Sequence, residues 1–268
     1  MTSIDLARAA VVHNGFAWSP PRELQSTNAL VLHIEPAGVV VKVGQWPDSQ
    51  PGMLREHAVC REMTAVGVAA PRPLGEPFTG GGNGMVATLW AYLESTQVSS
   101  ANASAVSESL GHAHRALQRT TTAVPDYRHW LDLFATSLFD DDEMSNLDIE
   151  GRKDLRTAYN ELRVRLDSYP SSSFRIHGDP HIGNFLRASN DLVLIDFETV
   201  CTGPPEWDLA SLEPSVADLY PTIIDEELFG LLRIMNNVRV ATWSFVNPTP
   251  AEHELGRRCL QLVRASRP

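Results

Sequence analysis

The sequence predicts an α+β protein with a small antiparallel sheet and one helix in residues 1–94 and a mainly helical remainder in residues 95–268. Three observations support this. Two β-rich runs, "NALVLHIE" and "GVVVKVG", flank Pro36-Ala37-Gly38, the composition of a hairpin turn. Residues 53–66, "MLREHAVCREMTAV", have helical spacing and are closed by Gly67, Pro71 and Pro73. From Ala103 onward the apolar residues recur at intervals of three and four, as a helix requires.

Residues 4–14 form a short expected helix ended by Gly15, and "GMVATLWAYLE" reads as a further strand after the helix of residues 53–66. The Ser/Ala-rich stretch 95–107 is expected to connect the two parts. Helical patterns follow in "VSESLGHAHRALQRT", "YRHWLDLFATSLF" and "EGRKDLRTAYNELRVRLDSYP", where Leu155, Tyr159, Leu162 and Leu166 make one apolar stripe stopped by Pro170. Two short strands, residues 173–176 and 191–196, interrupt the helices. The chain closes with helical patterns around "EELFGLLRIMNNVRVATWSF" and "AEHELGRRCLQLVRA".

Composition narrows the partners. With 33 acidic and 22 basic residues the formal charge is −11, which argues against nucleic acid, because phosphate backbones are bound by Lys and Arg clusters. Cationic or neutral small molecules stay open. Cys60, Cys201 and Cys259 are far apart and form no C-x-x-C pair, so a reducing, cytoplasmic setting is expected with no cysteine-based zinc site. The first twenty residues are interrupted by Asp5, Arg8 and His13 and do not read as a signal peptide. The longest charge-free run is broken by four glycines, so no membrane span is expected.

The densest group of polar residues is "HGDPHIGN", residues 177–184. His177 and His181 are four apart, the spacing of two metal ligands on one helical face, but Gly178 and Pro180 break a helix there. A second reading starts from Asp179 and Asn184, five apart, with Asp196 twelve further on at the end of an apolar run. Phosphoryl transfer uses groups in this order. A carboxylate accepts the hydroxyl proton, an amide binds Mg²⁺, and a strand-end carboxylate binds Mg²⁺ from the other side. Such a site also needs a lysine on an early strand and a glutamate to hold it. Lys42 lies within the valine run 39–43, where a lone ammonium is costly to bury, and Glu56 falls on the apolar face of the helix of residues 53–66 with Glu62 at its edge. Each charge calls for the other.

These motifs resemble those of the aminoglycoside phosphotransferase and choline kinase-like family, in which H-G-D-x-H-x-x-N is followed by I-D-[FW]-E and then D-L-A. Here they stand as "HGDPHIGN", "IDFE" at residues 195–198 and "DLA" at residues 208–210. The resemblance runs through nearly the whole chain. It implies a bilobal protein kinase-like fold, with residues 1–94 as the nucleotide-binding N-lobe and 95–268 as the C-lobe carrying the catalytic loop and the acceptor site. It implies Asp179 as catalytic base, Asn184 and Asp196 as Mg²⁺ ligands, Lys42 as the contact to ATP or GTP phosphates, and Glu56 as its partner. His177, His181 and Asp208 would support the loop, and the base of the nucleotide would lie near residues 90–93. The nucleotide-covering segment "LQSTNALVL" departs from the family in having no glycine, so Ser26, Thr27 and Asn28 would offer backbone N–H groups and hydroxyls instead. The acceptor would be a small hydroxyl compound of the aminoglycoside, amino-sugar or amino-alcohol type, or a sugar or nucleoside. A catalytically inactive nucleotide-binding module and a metal-dependent hydrolase using His177, Asp179 and His181 are the competing readings.

Other motifs have plain expectations. "TGGGNGM" lacks the Gly-Lys-Ser/Thr ending of a phosphate loop and reads as a turn. His112 and His114 point about 200° apart on a helix and would not share a metal. Asp140–Glu143 reads as a solvated loop, and Trp207 and Trp243 as core.

Overall fold

A computed structural model describes residues 1–26, 29–44, 49–80, 84–98, 102–189, 191–246 and 249–266. The chain divides into two compact units, one of residues 1–124 and 179–200, the other of residues 125–178 and 201–268.

In the first unit, helix α1 (Ser3–His13) starts at a capping box in which Thr2 and Asp5 satisfy each other's backbone N–H groups. Strands β1 (Arg22–Ser26), β2 (Ala29–Ile34), β3 (Val39–Gly44), β4 (Phe78–Thr79) and β5 (Val86–Ala91) form one antiparallel sheet in the order β1-β2-β3-β5-β4. The turn between β2 and β3 ends at Gly38 with φ 61°, a left-handed conformation that glycine adopts without a Cβ penalty. Strand alternation sends Leu30, Leu32, Ile34, Val39, Val41, Val43, Ala87 and Leu89 into one apolar cluster with Leu6, Ala7, Ala10 and Val11 of α1. That cluster takes one face of the sheet, and Lys42 and Thr88, which pair across β3 and β5, belong to the other face.

Helix α2 (Gln50–Ala65) buries Met53, Glu56, His57, Val59, Cys60 and Met63. The segment expected as a connector contains strand β6 (Thr96–Gln97) and the start of α3 (Ala103–Leu117), capped by the Asn102 side chain on the Ser104 N–H. Strand β6 pairs with β8 (Phe185–Ala188), which forms a hairpin with β9 (Asp191–Leu194).

The second unit contains α4 (Tyr127–Phe139), α5 (Ile149–Asp167), the strand pair β7 (Arg175–Ile176) and β10 (Cys201–Thr202), and helices α6 (Pro205–Leu209), α7 (Pro214–Ala217), α8 (Glu226–Val246) and α9 (Pro250–Ala265). Its core joins Leu155, Tyr159, Leu162 and Leu166 of α5 to Leu232, Met235, Val238 and Phe245 of α8 and to Leu260 and Val263 of α9. Trp207 is core, 3% exposed, whereas Trp243 is 47% exposed and departs from the core expectation. Trp243 stands between inward-facing Thr242 and Ser244 on a helix whose apolar stripe is already complete. Asp140–Glu143 is exposed, and its Asp141 carboxylate meets Arg152 and Arg156. The three cysteines are buried and not joined in disulfides, and no helix among the described residues is long and apolar enough to cross a membrane.

Candidate active site

Strand β3 delivers Lys42 to the sheet face opposite α1, where three carboxylates surround its ammonium. Lys42 Nζ lies 2.9 Å from Glu56 Oε2, 2.7 Å from Asp196 Oδ1 and 2.7 Å from Glu198 Oε1. Burial alone would drive the ammonium pKa down, but Glu56, Asp196 and Glu198 together raise it well above its ordinary value, so Lys42 is charged. Burial pushes the Glu56 carboxyl up to about 7, with Asp196 and Glu198 adding to the rise and Lys42 opposing it.

Two consecutive residues of α2 hold the turn that follows Asp196. Glu56 Oε1 accepts the Phe197 N–H at 3.0 Å, and Arg55 donates to the Glu198 carbonyl from Nε at 3.2 Å and Nη2 at 2.7 Å. Asp196 itself sits at φ 69°, a left-handed conformation uncommon for a residue with a side chain. Strain of this kind persists where the surroundings over-determine it, which these α2 contacts do.

The loop from Asp179 to Asn184 is closed on itself. The His181 N–H donates to the Asp179 carbonyl at 3.0 Å, the Asn184 N–H to the His181 carbonyl at 2.8 Å, and Asn184 Nδ2 to the Asp179 carbonyl at 2.9 Å. His181 caps the short turn at residues 182–184, its Nδ1 accepting the Gly183 N–H at 3.1 Å, and its side chain is half exposed. The β8–β9 hairpin then brings the loop beside Asp196. Phe185 pairs with Leu194, and the Ile195 N–H donates to the Asn184 carbonyl at 2.9 Å. Asn184 and Asp196 thereby flank one end of a two-stranded ribbon. Glu56, Asp196 and Glu198 have carboxylate oxygens within 4.8 Å of one another, the hard oxygen donors that suit Mg²⁺.

In the second unit, Asp208 on α6 accepts the N–H groups of His177 at 2.7 Å and Gly178 at 2.8 Å, and all three residues belong to its interior. Gly178 has φ 93°. The neighbouring Trp207 donates from Nε1 to the Gly178 carbonyl at 2.8 Å.

Of the residues singled out from sequence, Lys42, Glu56 and Asp196 meet at one ammonium, Asp179 and Asn184 share a loop, and His177 and Asp208 share a backbone hydrogen bond. Ser26 ends β1 on an exposed edge, and Thr27 and Asn28 lie outside the described residues. Glu198, Arg55 and Trp207 were not singled out for the site. Glu198 had a signal, since it closes "IDFE" two positions after Asp196.

The sequence profile of the phosphotransferase enzyme family matches residues 20–233. The chain belongs to that family. Its members transfer phosphoryl groups, which agrees with the enzyme class expected from the motifs. Solved structures share the kinase-like fold over nearly the full length of this family member. A choline/ethanolamine kinase family protein from Mesorhizobium loti is 17% identical with a TM-score of 0.67, over 98% of this chain and 94% of that one. The amicoumacin kinase hAmiN, solved in complex with AMP-PNP, Ca²⁺ and Ami, is 10% identical with a TM-score of 0.73, over 100% and 95%. An aminoglycoside phosphotransferase solved with GDP and kanamycin is 13% identical with a TM-score of 0.73, over 96% and 98%. No curated protein sequence matches the chain.

Proposed function

We propose that this phosphotransferase is a Mg²⁺-dependent small-molecule kinase that moves the γ-phosphoryl group of ATP or GTP to a hydroxyl of an aminoglycoside-like, amino-sugar or amino-alcohol acceptor. The observation that carries the reading is the joining of Asn184 to Ile195 by a backbone hydrogen bond while Lys42 reaches Asp196 at 2.7 Å. In this reading one hairpin and one strand carry the proposed phosphate contact, Lys42, and the two proposed metal ligands, Asn184 and Asp196.

In the reaction the acceptor oxygen forms a bond to the γ-phosphorus, and the bond from that phosphorus to the β,γ-bridging oxygen breaks. Asp179 takes the hydroxyl proton. Lys42 binds the α- and β-phosphates, exchanging part of its contact with Asp196 and Glu198 for phosphate oxygens while Glu56 retains it. Asn184 and Asp196 would hold Mg²⁺, which supplies neutralisation of the charge on the transferring phosphoryl group. Because this chemistry asks the protein mainly to position charges, a site built from buried ion pairs suits it.

The nucleotide is supported by the AMP-PNP and GDP bound to the two structural relatives, and the acceptor class by the amicoumacin and kanamycin they hold. The net charge of −11 favours a cationic acceptor. Residues 256–268 carry four arginines and no acidic residue, which favours a neutral sugar or nucleoside instead. A panel of both classes, read by nucleoside diphosphate release, decides between them. With the acceptor in hand, Asp179→Asn is expected to lower kcat by roughly 10²–10⁴-fold. Undiminished turnover in that variant would remove Asp179 from the role of base.

A further inference from the structure

We infer that Trp207 is a positioning residue for Asp179, acting through the peptide that joins Gly178 to it; this rests on the role of Asp179 proposed above. Glycine has the most permissive backbone in a chain, and Gly178 at φ 93° uses that freedom one residue before the proposed base. Its backbone is restrained at both ends by consecutive residues of α6. Asp208 Oδ1 accepts its N–H at 2.8 Å, and Trp207 Nε1 donates to its carbonyl at 2.8 Å. The direction of that carbonyl sets ψ of Gly178, and hence the direction in which the chain continues to Asp179.

The donor is itself buried and packed. Trp207 is 3% exposed, and its ring packs against Tyr127 at a centroid separation of 5.3 Å. The Arg239 guanidinium lies 5.9 Å from the Trp207 ring centroid, held by the Asn236 side-chain oxygen at 2.9 Å from Nη2, and Asn236 Nδ2 donates in turn to the Ala210 carbonyl at 3.2 Å. An apolar residue filling this space needs no N–H. The indole nitrogen adds the hydrogen bond that orients the peptide before Asp179.

The test separates shape from hydrogen bonding. Trp207 is replaced by benzothienylalanine, which keeps the bicyclic outline and puts sulfur in place of the N–H, and separately by 7-azatryptophan, which keeps the N–H. The sulfur analogue is expected to lower kcat by roughly tenfold to a hundredfold, because small misplacements of a catalytic group cost that much, with KM for the nucleotide unchanged. The aza analogue should retain kcat. Amide hydrogen exchange over residues 178–184 is expected to accelerate at least tenfold in the sulfur analogue alone, and this is read without substrate. Equal kcat and equal exchange in the two analogues would overturn the inference. A chain with no phosphoryl transfer at all sinks the kinase reading instead, and the exchange measurement still decides the role of Trp207.

Discussion

Glu56 reaches Lys42 from a helix, whereas Glu198 reaches it from the turn after Asp196, and this difference sets what each loss would cost. Glu56 is 3% exposed and also accepts the Phe197 N–H, so it ties α2 both to the ammonium and to the Asp196 turn. Glu198 is more exposed, and its backbone stays fixed by Arg55 whatever its side chain does. Neutralising one partner of a buried ion pair strands the other charge, while neutralising a partly exposed partner leaves solvent to compensate. Glu56→Gln is therefore expected to lower kcat/KM by roughly a hundredfold, and Glu198→Gln by roughly tenfold, mostly through KM for the nucleotide. Steady-state kinetics of the two variants check the order, and a larger loss for Glu198→Gln would reverse the assignment of the main anchor. The pairing of Lys42 with Glu56 was legible in sequence, because each charge sits in an apolar pattern that cannot tolerate it alone. The contribution of Trp207 was not legible, since its partner is a backbone carbonyl and carries no residue signature.

Helix α2 acts as a clasp. Arg55 and Glu56 hold the turn at residues 197–198, and Glu62, two turns on, accepts hydrogen bonds from the Thr121 N–H, from the Thr121 hydroxyl at 3.1 Å and from the Thr122 hydroxyl at 2.8 Å. Burial pushes the Glu62 carboxyl up, but the Thr121 N–H and the hydroxyls of Thr122 and Thr121 outweigh it and hold its pKa below the ordinary value. Glu62→Ala should cost about 1 kcal/mol, the scale of a partly exposed hydrogen-bonded carboxylate. Calorimetry should then show a fall in Tm of about 2–4 °C with the nucleotide KM little changed, because Arg55 and Glu56 keep their own partners. A rise in KM as large as that of Glu56→Gln would mean that the far end of the helix sets the lysine geometry. Helices and strands of this kind were readable from periodicity. Strand β6 was not, because two exposed residues, Thr96 and Gln97, form it by pairing with Arg187 and Leu186. A strand that short carries no alternation of its own, and only its partner ninety residues away defines it.

At the scale of the molecule, the first unit gathers residues 1–124 with 179–200, so Lys42 and its two late carboxylates belong to one body although 150 residues of chain lie between them. Local patterning is blind to such a return. That body also carries two buried imidazoles with strained solvation. His57 is 2% exposed; its Nε2 has no hydrogen-bond partner among the described residues and its ring meets Trp90 edge-on at 5.8 Å. Burial, helped by the Arg61 charge, lowers its pKa, while Glu76 and the Gly75 backbone oppose. His33 is 5% exposed and accepts from Arg22 at Nδ1 at 3.2 Å, which leaves the proton on Nε2 when the ring is neutral. Burial, then the Arg22 charge, lowers its pKa as well. For a histidine whose folded pKa lies below its unfolded value near 6.5, the unfolded chain binds more protons in acid, so stability is complete above that value and is lost as pH falls beneath it. Glu62, with a folded pKa below 4.5, adds a further loss at lower pH. His33 and His57 therefore contribute a fall in the urea unfolding midpoint below about pH 6.5, opposed by Glu56, whose folded pKa of about 7 lies above its unfolded value of 4.5 and so adds stability as pH falls through that interval. His57→Leu removes one of the groups that destabilise the fold in acid, so its midpoint should gain on that of the unaltered chain as pH falls from about 6.5 to 5. Parallel curves for the two proteins would show that His57 does not shift its proton affinity on folding and would move the acid sensitivity elsewhere.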